Sequence, residues 1–214
     1  MKLHNPMIVQ SVCTSNGVNI VFNPSMGTND DPGIENLSTD LLVLTQMSNA
    51  HMSQGTQKID KKLGGTISKA IAAQGFTGQA AETILLDCAK FKNEQRYVLL
   101  VGLGDPAHFK GYTVCGLMRT VLETARELGV AKITMPIFPN RQTEDELTLA
   151  GTAAIMSCRV STFGKLPKLE EIELFCTPQA RRHLQGGLIC KVPHCENCAN
   201  PKLEDQKGSA SWRE

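Results

Sequence analysis

The stretch Val98-Leu99-Leu100-Val101-Gly102-Leu103-Gly104 constrains this chain most. Four consecutive apolar residues fit a strand buried on both faces, and the glycines just beyond let the backbone turn sharply or approach another group closely. Residues 111–129 then read as one amphipathic helix, and 132–137 as the next strand. Strand, glycine turn, helix, strand makes a βαβ unit with a parallel sheet. In such sheets ligands sit at the carboxyl ends of the strands, where this glycine turn lies. The order of elements predicts an architecture and a place for a site, but no reaction.

The 214 residues, 41% of them apolar, are enough for one domain with a real core. Twenty-two basic against 21 acidic residues leave a net charge of +1, which argues against nucleic acid or a membrane surface as partner. No apolar run approaches the ~18 residues of a membrane span, and no early basic stretch leads into an apolar one. A soluble, cytoplasmic protein is expected. Cys13, Cys88, Cys115, Cys158 and Cys176 stand singly among apolar neighbours, as small buried thiols do, and no disulfide is expected.

Around this centre the pattern alternates between strand and helix. Residues 8–13 and 18–22 flank Ser15-Asn16-Gly17, whose Asn-Gly pair signals a hairpin. A polar loop over 23–38, a short strand over 40–45 and a polar segment over 49–56 follow. Ile59, Leu63, Ile67 and Ile71 recur every four residues and predict one helix over 58–74, with Gly64-Gly65 inside it. Residues 83–87 read as a strand and 92–94 as a turn. The helix at 112–128 puts Val114, Leu117, Met118, Val121, Leu122, Ala125 and Leu128 on one face, and Gly129 caps it. Thr143 and Glu146 form a capping box for a helix over 143–157. Residues 172–176 alternate like a half-exposed edge strand. Pro178 opens a helix to Leu184 that Gly186-Gly187 closes, and residues 202–214 read as a polar, frayed end.

Three blocks in this order and spacing resemble the N-terminal domain of the leucyl (cytosol) aminopeptidases: residues 58–65, residues 78–83 (Gly-Gln-Ala-Ala-Glu-Thr) and residues 98–104. The resemblance runs over about residues 40–187, through Leu169-Glu170-Glu171-Ile172-Glu173-Leu174. It implies a macro-domain-like three-layer α/β sandwich, its mixed, largely parallel sheet flanked by helices, over residues 1–187. Residues 188–214 would form a Cys-containing, linker-like polar tail, where Cys195-Glu196-Asn197-Cys198-Ala199-Asn200-Pro201 imperfectly resembles the family's linker. In the family this domain serves assembly and covers the active site. The chemistry belongs to a C-terminal domain in which Lys, Asp and Glu hold two divalent metals, and its signature Asn-Thr-Asp-Ala-Glu-Gly-Arg does not occur in these 214 residues. No residue is therefore assigned a catalytic role.

Two candidate sites follow. Macro domains wrap the diphosphate of ADP-ribose with a glycine-rich loop before a helix and another after a central strand. Here the corresponding residues are Gly64 and Gly65, and Gly102, Leu103, Gly104 and Asp105, whose N–H groups suit an anion. The opposing reading is that these glycines serve packing alone. Read as a dinucleotide fingerprint through Ala107, the same glycines fail, because Pro106 interrupts the motif and Glu123 lies mid-helix. The second candidate is Cys190, His194, Cys195 and Cys198, four soft ligands that can hold a tetrahedral zinc; the alternative is a linker turn with incidental thiols. Three functions remain open. One is a non-catalytic domain acting in assembly, regulation or ligand binding, its partner another copy, a related aminopeptidase chain or a small anion. The second is a subunit that needs a two-metal catalytic domain in another chain, and the third is an ADP-ribose or nucleotide-binding module.

Overall fold

The structure, a computed structural model, describes residues 11–91, 94–137 and 149–188. A hairpin opens it: β1 (Ser11–Ser15) and β2 (Val18–Asn23) are antiparallel, joined through Asn16 at φ 55° and Gly17 at φ 77°. Two successive positive φ values are what a two-residue type I′ turn requires, which is why Asn-Gly stands there. The chain continues through β3 (Thr39–Met47), helices α1 (Gln54–Lys62) and α2 (Thr66–Gln74), and strands β4 (Thr83–Asp87) and β5 (Gln95–Gly104). Then come α3 (Gly111–Leu128), β6 (Lys132–Pro136), α4 (Leu149–Thr162), β7 (Glu171–Phe175) and α5 (Pro178–Gly187).

The seven strands form one sheet in the order β1-β2-β7-β6-β3-β5-β4. The four inner pairings, β2 through β5, are parallel, and the outer pairs β1–β2 and β4–β5 are antiparallel. The expected βαβ unit is present, and β3 lies between its two strands. On one face Leu41, Val43, Leu99, Val101, Ile133 and Leu174 pack with the apolar stripe of α3 and with α4 and α5. On the other, Leu42, Leu44, Val98, Leu100 and Ile84 meet Ile59 of α1, Leu63 at its C-cap and Ile67 of α2. This is the three-layer, mostly parallel α/β sandwich that the resemblance implied.

Several expectations need correction. The helix foreseen over 58–74 is two helices, because Gly64 and Gly65 adopt left-handed φ values of 64° and 77°, which end α1 and start α2. Residues 49–56 are not all loop: Ser53 caps α1 by accepting the Thr56 amide at 3.1 Å. Strand β7 is no edge strand but lies between β2 and β6, with four of its five residues buried. Gly186 and Gly187 belong to α5 rather than terminate it. A Cβ at Gly187 would stand 1.9 Å from the Ala150 carbonyl oxygen, so the glycine permits close packing of α5 on α4. Gly129 at φ 62° ends α3 as read. The capping box at Thr143 and Glu146, residues 92 and 93 of the turn read over 92–94, and residues 189–214 of the tail read over 188–214 lie outside the described residues.

Candidate functional site

The carboxyl ends of β3 and β5 run into the segments that precede α1 and α3, the end of a parallel sheet at which a site is expected. Here the chain folds over its own glycines. Residues 77–82 cross the end of β5: Gly102 N–H donates to the Glu82 carbonyl at 2.8 Å, and Gly104 N–H to the Gly78 carbonyl at 2.9 Å. A Cβ at Gly102 would stand 1.9 Å from the Gln79 carbonyl oxygen, and one at Gly78 would stand 2.5 Å from that of Met47. The Glu82 carboxylate fastens this crossing segment, accepting the amides of Thr77 (2.8 Å) and Gln79 (3.0 Å). Leu103 is buried in the core beneath it. Asp105 turns outward, accepts the Ala107 amide at 2.9 Å and lies 3.2 Å from His108 Nδ1, both side chains well exposed.

Gly64 and Gly65 sit elsewhere. Lys62, two residues before them, donates to the Glu35 carbonyl (2.6 Å), which also accepts from Gln95 at the start of β5. The glycine pair thus lies toward the amino end of the sheet, a helix length (about 14 Å for the nine residues of α2) from the Gly75–Gly78 segment. The two glycine elements are therefore not brought together.

At the first turn of α2 the unpaired amides of a helix start would suit an anion. Asp60, buried in the last turn of α1, takes that place. Its Oδ1 accepts Ile67 N–H at 2.7 Å and Ser68 N–H at 3.1 Å, and its Oδ2 accepts the Ser68 hydroxyl. A carboxylate opposes the dipole at the end of α1 but suits the start of α2, so its gain lies in the second helix.

A polar group unnoticed in the sequence crosses the sheet near its amino end. Lys132 Nζ lies 3.0 Å from Glu171 and 3.1 Å from Glu173; Glu173 also accepts from Thr134 Oγ1 (2.8 Å) and Asn23 Nδ2 (3.0 Å). Burial pulls the Lys132 ammonium toward losing its proton, but Glu173 and Glu171 together outweigh it and leave its pKa above the ordinary value. An open cavity of about 370 Å³ beside it is lined by Ser38, Asp40, Glu94, Arg96 and Lys132, among others. Two-residue spacing was the available signal: Lys132 with Thr134, and Glu171 with Glu173, alternate onto one face.

Cys88, Cys115, Cys158 and Cys176 are buried, as expected. Burial, helped by Asp87, pushes the Cys88 thiol up to about 11, and burial does the same for Cys176. Such thiols are poor nucleophiles and poor metal ligands. No group of three or more His, Cys, Asp or Glu among the described residues is placed to hold a metal. Cys190, His194, Cys195 and Cys198 lie outside the described residues. No described helix is long and apolar enough to cross a membrane.

Residues 43–159 match the sequence profile of the cytosol aminopeptidase family, N-terminal domain. No curated protein matches the chain. Among solved structures, a variant of tomato leucine aminopeptidase superposes with a TM-score of 0.58 at 17% identity. The match covers 78% of this chain and 35% of that one, so the chain spans about a third of that enzyme. A Trypanosoma brucei macrodomain in complex with ADP gives a TM-score of 0.62 at 15% identity, covering 85% of this chain and 74% of that one. An Oceanobacillus iheyensis macrodomain variant gives 0.59 at 14% identity, covering 81% and 92%. At these identities the structural matches speak to the fold: the domain is macro-like.

Proposed function

The chain belongs to the cytosol aminopeptidase family through its N-terminal domain, and on that premise we propose that these 214 residues act in assembly and regulation rather than in catalysis. One observation carries the reading. The N–H donors that a macro-like fold offers to an anion are directed at the chain's own acceptors, at Gly102 and Gly104 by Glu82 and Gly78, and at α2 by Asp60. What the fold then offers a partner is surface. The partner is a second copy or a related aminopeptidase chain, in the cytoplasm, with neither nucleic acid nor membrane involved. The purified chain should not hydrolyse leucine p-nitroanilide with manganese or zinc present. Turnover that a chelator abolishes would overturn this reading. Co-purification with a full-length aminopeptidase would favour the form in which the two-metal domain resides in another chain.

A second reading, an ADP-ribose or nucleotide module, draws on macrodomain neighbours solved with ADP and with ADP-ribose, and on the open space around Gly64 and Gly65. Calorimetric titration with ADP-ribose decides it. Heat indistinguishable from dilution at millimolar ligand removes it.

A further inference from the structure

The two edges of the sheet differ in kind. β1 is rich in Ser and Thr and carries a register shift between Ser11 and Cys13, two features that discourage further pairing. β4, Thr83-Ile84-Leu85-Leu86-Asp87, runs in unbroken register along β5 and has no proline, glycine, lysine or bulge. Its centre is apolar on both faces, as in an interior strand, although no described strand lies beyond it. Ile84 is buried and Leu86 half-buried on one face, while Leu85 on the other is 45% exposed.

The phase of the ladder says which backbone groups remain. Glu82 accepts from Gly102 and Cys88 donates to Arg96, so the even-numbered residues bond to β5. The N–H and C=O groups of Thr83, Leu85 and Asp87 therefore point outward, and none of them has a partner among the described residues.

From this edge we infer that β4 is a self-pairing strand, which binds antiparallel to β4 of a second copy about a two-fold axis through Leu85. One register pairs all three outward residues: Leu85 faces its twin, and Thr83 faces Asp87 of the other copy twice. Each of these pairs exchanges two N–H···O=C bonds, and the two sheets become continuous. On one face Leu85 covers Leu85, and on the other Ile84 meets Leu86 of the twin. The charges fit as well. Asp87 faces a threonine, its carboxylate already accepts the Ala89 amide at 2.9 Å, and Glu82 is turned inward onto Thr77 and Gln79. A register centred on Asp87 would instead set two carboxylates face to face, a destabilising arrangement. Five residues bury little area, so this contact belongs to the weak, concentration-dependent class. It deepens the assembly reading by naming the surface. Its failure would leave association with an aminopeptidase chain to be judged separately by co-purification.

Sedimentation equilibrium of the full chain over roughly 10 µM to 1 mM tests it, a range that spans weak association. The mass should double across the range, and Leu85→Lys, at an exposed position, should remain monomeric with unchanged circular dichroism and thermal midpoint. Leu85→Pro, which removes only an outward N–H, should weaken dimerisation likewise. Under mild oxidation Leu85→Cys should give a reducible dimer linked through position 85 by peptide mass spectrometry, because facing Cα atoms in such a pair lie about 5.5 Å apart. A wild-type monomer throughout the range overturns the inference. So does a Leu85→Lys dimer as tight as wild type, a Leu85→Cys protein that fails to link at position 85, or a monomer whose Leu85 amide resists hydrogen exchange because its own chain covers the edge.

Discussion

Replacing Asp60 tests how the chain satisfies the start of α2. Asp60→Ala removes an acceptor from two amides, Ile67 and Ser68, and from the Ser68 hydroxyl; Ile67 is fully buried. Loss of an N-cap costs about 0.5–2 kcal/mol. A buried donor left unpaired costs about 1–3 kcal/mol, reduced at Ser68 where water can enter. Together these give about 2–3 kcal/mol for Asp60→Ala. Asp60→Asn keeps one acceptor oxygen for Ile67 and loses the charge, so about 1 kcal/mol is expected. For a chain of this size each kcal/mol moves the thermal midpoint by about 2–4 °C, so Asp60→Ala should melt about 5–10 °C lower. Urea unfolding followed by circular dichroism should rank Asp above Asn above Ala. A second measurement separates capping from packing. With Asp60 gone the first turn of α2 has free amides, so inorganic phosphate should raise the midpoint of Asp60→Ala by more than it raises that of wild type, which feels only the general effect of a kosmotropic salt. An alanine variant within about 0.5 kcal/mol of wild type, or Asn and Ala variants equally destabilised, would refute the reasoning.

Other substitutions separate steric from conformational demand at the glycines. Gly102→Ala drives a methyl onto the Gln79 carbonyl and should cost more than about 3 kcal/mol, whereas Gly65→Asn, in open space at a φ that asparagine tolerates, should cost under about 1 kcal/mol; urea midpoints compare them. Cys88 and Cys176 should not react with a disulfide reagent at pH 8 until the protein unfolds. Their folded pKa values, about 11 against 9.0, lie above the unfolded ones, so their stabilising contribution holds below pH 9 and is lost between pH 9 and 11. Lys132, also raised, acts with the same sign above its ordinary 10.5, so urea midpoints should fall steadily above pH 9. Elemental analysis of protein purified without chelator should find no zinc; about one zinc per chain, lost in Cys198→Ser, would establish the site at Cys190, His194, Cys195 and Cys198.

Much of the fold was legible because it rests on short-range pattern. Asn16-Gly17 encodes its hairpin, Gly129 its helix end, and the apolar stripe of α3 its buried face. The break at Gly64-Gly65 was hidden for a physical reason. Ile59 in α1, Leu63 at its C-cap and Ile67 in α2 face the same sheet, so their four-residue spacing continues across a turn that separates two helices. Strand β7 misled in the opposite way. Glu171 and Glu173 alternate with apolar residues as they would beside water. Yet they face Lys132, Thr134 and Asn23 on neighbouring strands, partners up to 150 residues away in the chain. Alternation records that a face is polar. Whether water or protein makes it so is decided by topology.

The same ambiguity governs the candidate site. A glycine at a strand end announces that something approaches the backbone too closely for a Cβ. At Gly102 that something is Gln79, from a segment about 20 residues upstream that Glu82 fastens and that Gly78 and Ala81, at φ 82° and 76°, shape. The helix start at Gly65 is a comparable case in charge rather than in space: it favours a negative group, and Asp60 supplies one from the preceding turn. An external anion would have to displace these internal acceptors and leave a carboxylate without its donors. Anion affinity and domain stability are therefore opposed at α2, and a substitution that creates the first should be recognised by what it takes from the second.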